Sequence, residues 1–414
     1  MQEQSRYAVG VDVGTTMVRC VVGHIDSTTG VPTVVGVGTA PSSGMRKGSV
    51  VNLQGPAKAI DEALGEAERM SGYELDDATI SINGSHILST KADGMIAVGS
   101  ADHAIDEEDL ARVEEVATVG KVPANREVLQ VIPHSFRLDG QDGIKDPVGM
   151  TGTRLEIVAN VVSALVPNLS NLRKAAESAT VKPNQVVPAV LASARAVLNE
   201  SQLESGVAVI DLGGSTTSVA VFEEGDLQYV GVVPMGGVNV TNDLAICLKT
   251  DPEVAETVKL KHASAVPRKN SQGVSVKKDG EVLSFSTKEI DEVVEARLEE
   301  IFEAVEKELQ KAGRAGQLPS GVVLTGGGAQ MKSIAEFAKD NLGLAVKIGK
   351  PTGFGGVAEK VDQPEFSTAV GLMLIDSDGA RGDSDSSKKA VKSSGSIMKS
   401  TSSKLKEILD KFKA

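Results

Sequence analysis

The sequence predicts an α/β protein built from two copies of one strand–turn–strand unit. The first copy, VGVDVGTTMVRCVVG, begins at Val9, and the second, VAVIDLGGSTTSVAVF, begins at Val207. Each places an Asp, glycine and hydroxyl residues between two apolar strands, and such self-similarity indicates a duplicated fold. Aromatic residues make up only 3% of the chain. The core must therefore consist mainly of Val, Ile, Leu and Ala, which suits buried parallel strands.

The first half of the chain reads as a strand meander, a helix and an inserted unit. Apolar runs predict its strands at 7–12, 17–23, 33–40 and 78–83. Pro56 and the apolar spacing after it predict a helix that ends near Met70. In the inserted unit, Asp106 is the expected N-cap of a helix that runs to about Thr118. Further strands are expected near 87–91, 95–98, 128–138 and 155–162.

The second half repeats the strand unit and adds a long amphipathic helix, predicted from Thr287 to about Ala312. A strand at 321–324 then leads into a glycine turn. After Ile375 the composition changes to Ser, Gly, Asp and Lys, which is typical of a disordered linker. The predicted divisions are lobe 1 at 1–83 with 163–204, an inserted α+β subdomain at 84–162, lobe 2 at 205–245 with 315–375, an insertion in lobe 2 at 246–314, a disordered linker at 376–399 and an amphipathic helix at 400–414.

Charge and composition exclude several classes of protein. The net charge is −13, although residues 388–414 carry +6, so the body is acidic and a poor candidate for binding nucleic acid. The two cysteines, Cys20 and Cys247, suggest neither a disulfide framework nor a zinc site. No signal peptide is expected at the start, and no apolar run approaches the ~18 residues of a membrane span.

Two acidic turns predict a site for the phosphates of a nucleotide, since the chain has no Walker loop. Glycines let backbone N–H groups approach phosphate oxygens, and hydroxyl side chains can donate to them. The phosphate-binding candidates are Gly14, Thr15, Thr16, Gly213, Gly214, Ser215 and Thr216. Asp12 and Asp211 end their strands and are the candidate ligands of a hydrated Mg²⁺.

A third turn, Thr325–Ala329, lies between a strand and a helix and could accept an adenine ring against its backbone. The adenosine-binding candidates in this turn are Gly326, Gly327 and Gly328. Glu256 and Lys259, which lie earlier in the chain on a predicted helix, are expected to face the ribose. This turn could instead open a Rossmann unit, but it comes late and lacks the acidic ribose partner. Any one of these turns, taken by itself, is a common turn sequence. Three such turns in this order, with the first two related by duplication, favour nucleotide binding.

The three turns together resemble the actin, Hsp70 and sugar-kinase superfamily, and within it the bacterial cell-division family FtsA. The segments that carry the FtsA resemblance are SSGMRKGSVVN (42–52), EVLQVIPHSFRLDGQDGIKDPVGMTGTRLE (127–156), LASARAVLNE (191–200), VPMGGVNVTNDLA and AETVKLKHASA. The insertion at Gly84, after the first helix, is also similar to FtsA and unlike actin, Hsp70 and the kinases. Ser215, where the family more often has Gly, and His262, in the stretch after the AExxK helix where the family often has Gly, depart from its pattern.

The resemblance implies an actin-like, two-lobed fold of duplicated ribonuclease-H-like domains around an ATP cleft. It adds Gly237 to the adenosine site, with ATP and Mg²⁺ as cofactors. It also implies head-to-tail filaments, other division proteins as partners, and binding of the C-terminal tail of FtsZ, the tubulin-like division protein, by the second insertion. Arg297 is a candidate contact for that tail. The sequence contains no motif that assigns a side chain to position the attacking water. The catalytic residue is therefore left unassigned, and at most slow ATP hydrolysis is expected.

The C-terminal helix predicts membrane binding. Leu405, Ile408, Leu409 and Phe412 form one apolar stripe, and Lys404 and Lys411 are among the lysines beside it. Such lysines attract anionic lipids with on the order of 1 kcal/mol each. One helix gives weak binding that polymerisation would multiply. The expected location is the cytoplasmic side of the bacterial cell membrane at the division site.

Two other functions remain open at this stage. A soluble small-molecule kinase of the same superfamily would need a catalytic Asp facing a sugar pocket. An actin-like ATPase of type IV pilus assembly would share the relocated insertion. Neither explains the basic amphipathic tail.

Overall fold

The computed structural model describes residues 6–26, 30–99, 103–356 and 358–386. The strands are, in chain order, β1 (Tyr7–Val13), β2 (Met17–Ile25), β3 (Pro32–Pro41), β4 (Met45–Arg46), β5 (Ser49–Val50), β6 (Asp77–Ile82), β7 (Leu88–Ala97), β8 (Arg126–Leu138), β9 (Gln141–Ile144), β10 (Arg154–Leu165), β11 (Lys182–Pro188), β12 (Val207–Leu212), β13 (Thr217–Glu223), β14 (Asp226–Val233), β15 (Gly273–Lys278), β16 (Glu281–Ser286), β17 (Val322–Thr325), β18 (Val346–Ile348) and β19 (Gly355–Gly356).

The α-helices are α1 (Gln54–Ser71), α2 (Glu107–Thr118), α3 (Val166–Ser178), α4 (Ala189–Val197), α5 (Glu200–Ser205), α6 (Gly237–Cys247), α7 (Pro252–His262), α8 (Thr287–Lys311), α9 (Ile334–Leu342), α10 (Ala358–Val361) and α11 (Ser367–Ser386). Two 3₁₀ helices span Gly327–Gln330 and Pro364–Phe366.

Two sheets with the same connectivity confirm the predicted duplication. The first has the order β11-β6-β1-β2-β3-β19, and the second the order β14-β13-β12-β17-β18. In each, a strand pairs antiparallel with the next strand of its meander and parallel with a later strand: β1 with β2 and β6, β12 with β13 and β17. Every residue of β12 is buried, as expected for a central parallel strand.

The inserted segment folds as a four-stranded sheet, β7-β10-β8-β9, with α2 packed against it. Asp106 is the N-cap of α2 and forms a capping box with Asp109, which confirms the predicted helix start. The stretches predicted as two short strands near 87–91 and 95–98 are strand, but the break between them is wrong. One strand, β7, runs through both because it pairs with β10 along its whole length, a constraint that the local pattern does not contain.

The end of the described chain belongs to the first sheet and not to lobe 2. Strand β19 pairs with β3, and α11 packs against β1 and α4. A Cβ on Gly10 of β1 would lie 2.3 Å from the Ala369 carbonyl oxygen, so glycine permits this close packing. The prediction that lobe 2 extends to 375 therefore differs from the structure, because local sequence does not say which sheet a helix covers.

Helix α11 also continues to Ser386, well past the predicted start of the linker at 376. Two of the polar residues that suggested a linker, Asp376 and Asp378, are partly or fully buried and paired. The Asp376 carboxylate accepts hydrogen bonds from Val9 N–H (2.9 Å) and Thr79 Oγ1 (2.8 Å), and Asp378 lies 3.2 Å from Arg195 Nη2. The predicted amphipathic helix at 400–414 lies outside the described residues. Within the described part, none of the helices has the length and apolar character needed to cross a membrane.

Candidate functional site

A cleft of about 770 Å³ lies between the two lobes, at the ends of β1, β12 and β17. It brings together nearly all residues predicted for the nucleotide and metal, which are far apart in sequence. Those that line it are Asp12, Gly14, Thr15, Thr16, Asp211, Gly213, Gly214, Thr216, Gly237, Glu256, Lys259, Gly326, Gly327 and Gly328. Ser215 does not line it.

The two acidic turns meet across this cleft. Ser215 Oγ donates a hydrogen bond to Thr15 Oγ1 at 2.8 Å. This bond holds the Ser215 side chain against the other turn, and Ser215 does not line the cleft. A Cβ on Gly214 would lie 2.7 Å from Thr16 Cγ2, so a larger residue here would require the Thr16 side chain to move. Within the second turn, Gly213 N–H donates to the Thr216 carbonyl at 2.9 Å. Hydroxyl groups of both lobes are thus concentrated at one place, which favours binding of an anion.

Asp211 is a buried carboxylate and Asp12 a partly buried one, and both line the cleft. Ser81 Oγ donates to Asp12 Oδ1 (2.8 Å), whereas Ser193 Oγ and Thr368 Oγ1 donate to Asp211 Oδ2 (2.6 and 3.1 Å). Burial raises the pKa of Asp12 to about 6 although Arg19 opposes the shift, and burial also raises the pKa of Asp211. Two carboxylates that line one cleft fit a hydrated Mg²⁺, which prefers carboxylate and phosphate oxygens.

The third glycine turn packs directly against the second aspartate. Gly326 has φ +83°, and a Cβ there would lie 2.3 Å from Asp211 Oδ1. A Cβ on Gly328 would lie 2.4 Å from Leu212 Cγ. Both glycines are therefore required by the close approach of this turn to Asp211 and Leu212.

Beside the third turn, Glu256 and Lys259 belong to one polar network on α7. Lys259 Nζ donates to the Gly237 carbonyl (3.1 Å) and Thr241 Oγ1 (2.9 Å) and lies 2.7 Å from Glu256 Oε2. Thr241 Oγ1 also donates to Glu256. The network fixes the side chains expected to face a ribose against the N-terminus of α6.

Sequence reasoning missed Arg19 and Asn83, which also line the cleft. Asn83 connects the lobes: its Nδ2 donates to Thr216 Oγ1 (3.1 Å), and its Oδ1 accepts from Ser218 Oγ (3.0 Å). Arg19 is the strand partner of Asp12. The sequence signal that could have identified Arg19 is its position seven residues after Asp12 in a predicted hairpin. Asn83 gave no comparable signal.

The remaining predicted sites fall elsewhere. Arg297 is partly buried, donates from Nη2 to Asp243 at 3.0 Å and from Nη1 to Glu300 at 2.5 Å, and contacts Asp243 through Nε as well. It is thus held by acidic neighbours, and its contact with a partner stays a prediction. The membrane-binding residues Lys404, Leu405, Ile408, Leu409, Lys411 and Phe412 lie outside the described residues.

Comparison with known proteins decides the family. The family described as "Cell division protein FtsA" matches residues 208–371, and "SHS2 domain inserted in FTSA" matches residues 84–163. A cell division protein FtsA of Pseudomonas aeruginosa is 34% identical over 393 residues, which cover 94% of this chain and 93% of that protein. The chain belongs to the FtsA family. The FtsA of Bacillus subtilis is 36% identical over 377 residues, with 90% of this chain and 84% of that protein covered.

Solved structures place this FtsA-family chain among actin-like folds. A structure described as "PilM-PilN type IV pilus biogenesis complex" contains a chain with TM-score 0.63 and 17% identity, with 89% of this chain and 97% of that chain covered. MreB5 of Spiroplasma citri bound to ADP has TM-score 0.54 and 14% identity, with coverages of 93% and 99%. At these identities the likeness shows the fold alone, and it confirms the predicted actin-like class.

Proposed function

We propose that this cell-division protein binds ATP with Mg²⁺, polymerises on the cytoplasmic side of the cell membrane and tethers FtsZ filaments there at the division septum. The observation that carries nucleotide binding is the meeting of both Asp-containing turns and the third glycine turn in one cleft. Membership of the FtsA family supports the cellular role.

In the proposed complex, backbone N–H groups and hydroxyls of the two turns bind the phosphates. Asp12 and Asp211 hold the Mg²⁺, which neutralises phosphate charge when bound. The turn at Gly326–Gly328 accepts the adenine, while Glu256 and Lys259 orient the ribose. Because the two turns come from different lobes, a ligand that contacts both stabilises one lobe arrangement. The bound nucleotide thereby favours one conformation of the subunit. A single conformation suits assembly into a filament, and rapid hydrolysis of ATP would not maintain it.

The first test of nucleotide binding replaces Asp211 with Asn in the full chain. Loss of the carboxylate should weaken Mg-ATP binding, because Mg²⁺ prefers carboxylate oxygens. The affinity for Mg-ATP is measured by titration calorimetry, with Asp340→Asn on the exposed face of α9 as the control. An Asp211→Asn variant that binds Mg-ATP as tightly as the unmodified chain contradicts the assignment of this site.

Membrane attachment is tested by co-sedimentation with anionic vesicles. The full chain and a chain that ends at Ser400 are compared, each with and without Mg-ATP. We expect the full chain to sediment with phosphatidylglycerol-containing vesicles and the shortened chain to stay in the supernatant, because the stripe and lysines are removed. FtsZ is then added and should co-sediment only with the full chain. Equal sedimentation of both chains places the membrane contact elsewhere.

Two alternatives remain. A pilus-assembly role is suggested by the fold similarity to the PilM–PilN structure, but the FtsA relatives of about one-third identity over nearly the whole chain favour cell division. A soluble kinase would not sediment with the vesicles, either with or without Mg-ATP.

A further inference from the structure

We propose that Asn83 of lobe 1 is a positioning residue for the nucleotide phosphates. Its amide turns the hydroxyl of Thr216, in lobe 2, so that the hydroxyl proton is kept for a phosphate oxygen. The inference rests on the proposed nucleotide site and adds to it a residue that none of the three turns contains. Three observations carry it: the fixed orientation of the amide, the hydrogen bonds of the neighbouring hydroxyls, and the place of Asn83 in the duplicated fold.

A backbone donor fixes the orientation of the Asn83 amide. Gly84 N–H donates to Asn83 Oδ1 at 2.7 Å, and the Ser218 hydroxyl donates to the same atom at 3.0 Å. A backbone N–H can only donate, so the atom that faces it must be the amide oxygen. The amide nitrogen therefore lies on the other side, 3.1 Å from Thr216 Oγ1, and donates to it.

The Thr216 hydroxyl thus acts as an acceptor toward the protein and keeps its proton. A hydroxyl has one proton and two acceptor lone pairs, and the amide of Asn83 occupies a lone pair. Within the described part of the chain, this is the only hydrogen bond of Thr216 Oγ1. Thr216 is only 4% exposed, yet it lines the cleft. Its proton is therefore available to a ligand in the cleft that can only accept, as phosphate oxygens do.

The hydroxyls on either side of Thr216 do not keep their protons. The other hydroxyl residues of this stretch are Ser215, Thr217 and Ser218. Each donates to a protein acceptor, at 2.8, 2.9 and 3.0 Å respectively. Four consecutive hydroxyl residues therefore differ in what they offer a ligand, and the contact with Asn83 is what distinguishes Thr216.

Strand register makes Asn83 the lobe 1 counterpart of Gly327 in the third glycine turn. Ile80 on β6 and Leu324 on β17 pair with the residues directly before the two metal-site aspartates. Asn83 and Gly327 each lie three residues further along the chain. The duplication is therefore broken here, because lobe 2 has a turn without a side chain where lobe 1 has an amide that reaches the other lobe.

Because the contact crosses the cleft, it exists only while the two lobes are close together. Separation of the lobes breaks the hydrogen bonds of Asn83 with Thr216 and Ser218 and leaves the Thr216 hydroxyl free to rotate. The closed arrangement and a bound phosphate thus favour the same orientation of this hydroxyl. Each therefore stabilises the other, as expected for a ligand that binds one of two arrangements more tightly.

The test is a double-mutant cycle of Asn83→Ala and Thr216→Val in the full chain. Affinities for Mg-ATP and for adenosine, which has no phosphate, are measured by titration calorimetry. We expect Asn83→Ala to weaken Mg-ATP binding by about tenfold and to leave adenosine binding within about twofold. Once Thr216→Val has removed the hydroxyl, Asn83→Ala should weaken Mg-ATP binding by less than about threefold more, because no proton is left to orient. Asn341→Ala on α9 is the control and should bind Mg-ATP like the unmodified chain.

The outcomes separate the possible failures. If Asn83 only supports the fold, the two substitutions will act additively and will weaken Mg-ATP and adenosine binding alike, which overturns the proposal. Unchanged Mg-ATP affinity in Asn83→Ala also overturns it, while nucleotide binding by the chain stands. If the unmodified chain binds neither ligand, the proposed function itself is refuted.

Thermal unfolding without ligand shows whether Asn83→Ala is folded. If it is not, Asn83→Asp decides the question, because it keeps the shape of the side chain but offers Thr216 an acceptor instead of a donor. Its added charge acts whether or not the Thr216 hydroxyl is present, whereas the reversed hydrogen bond needs that hydroxyl. We therefore expect Asn83→Asp to weaken Mg-ATP binding more in the unmodified chain than in Thr216→Val. Equal losses in the two backgrounds overturn the proposal.

Discussion

At the scale of single residues, the cleft depends on a glycine that keeps a side chain away from Asp211. Gly326 shows this most clearly, since it combines a positive φ with an approach of 2.3 Å between a hypothetical Cβ and Asp211 Oδ1. The neighbouring Gly327 has neither feature, and its nearest contact would be Glu365 Cβ at 4.0 Å. Two adjacent glycines in one motif therefore have different reasons to be glycine.

We predict that Gly326→Ala destabilises the protein by about 1–3 kcal/mol and weakens Mg-ATP binding, because both the backbone and the Asp211 carboxylate must shift. Gly327→Ala, the matched control, should change the free energy of unfolding by less than about 1 kcal/mol. The free energy of unfolding is measured by urea denaturation. Equal effects of the two substitutions would contradict the steric argument.

The residue scale also shows how much of the site the sequence could reveal. Asp12, Asp211 and the glycine turns were identified because each lies in a local motif of residue types suited to binding phosphate or Mg²⁺. Asn83 was missed because its partners, Thr216 and Ser218, lie in the other lobe. Contacts between residues more than a hundred positions apart leave no local pattern.

At the scale of elements, α11 shows how a polar segment can be part of the core. Its Asp376 accepts hydrogen bonds from the backbone of β1 and from Thr79 of β6, and Ser377 and Asp378 are buried beside it. Burial raises the pKa of Asp376, although the hydrogen bonds from Val9 and Thr79 oppose the shift. The helix is therefore fixed to the first sheet by polar contacts as well as by its apolar face.

We expect Asp376→Ala to lower the free energy of unfolding by about 1–3 kcal/mol, because it leaves the buried Val9 N–H without its acceptor. Hydrogen exchange at Val9 should also accelerate. Asp340→Ala, on an exposed part of α9, serves as the control and should change stability by less than about 0.5 kcal/mol. A result for Asp376→Ala as small as that of the control would show that α11 is held by its apolar contacts alone.

At the scale of the whole molecule, the inserted subdomain connects both lobes. It is covalently part of lobe 1, yet it also contacts β14, the edge strand of the second sheet. Asn160 Nδ2 donates to the Leu227 carbonyl, Lys145 forms an ion pair with Asp226, and His134 Nδ1 lies 3.2 Å from the same carboxylate. A movement of the lobes about the cleft must therefore also change the contact between the subdomain and β14.

This contact is tested by a double-mutant cycle of Lys145→Ala and Asp226→Ala. The Lys145 side chain is 46% exposed, so we expect a coupling energy of about 0.5–1 kcal/mol, as for other partly exposed pairs. Stability is measured by urea denaturation of the two single variants and the double variant. The pair Lys121 and Asp93, within the subdomain, is the control for an exposed ion pair that does not connect two lobes. Strictly additive effects at Lys145 and Asp226 would show that the ion pair does not join the subdomain to lobe 2.

The sequence alone was sufficient for the duplicated α/β class, the three turns and the FtsA family, because these depend on local patterns of apolar, glycine and acidic residues. The tertiary structure decided which sheet α11 covers, that Asp376 is partly buried and Asp378 fully buried, and that Arg19 and Asn83 join the cleft. The physical reason is the same in each case. A local motif sets the backbone conformation of a few neighbouring residues, whereas burial and cross-lobe hydrogen bonds depend on where distant segments pack.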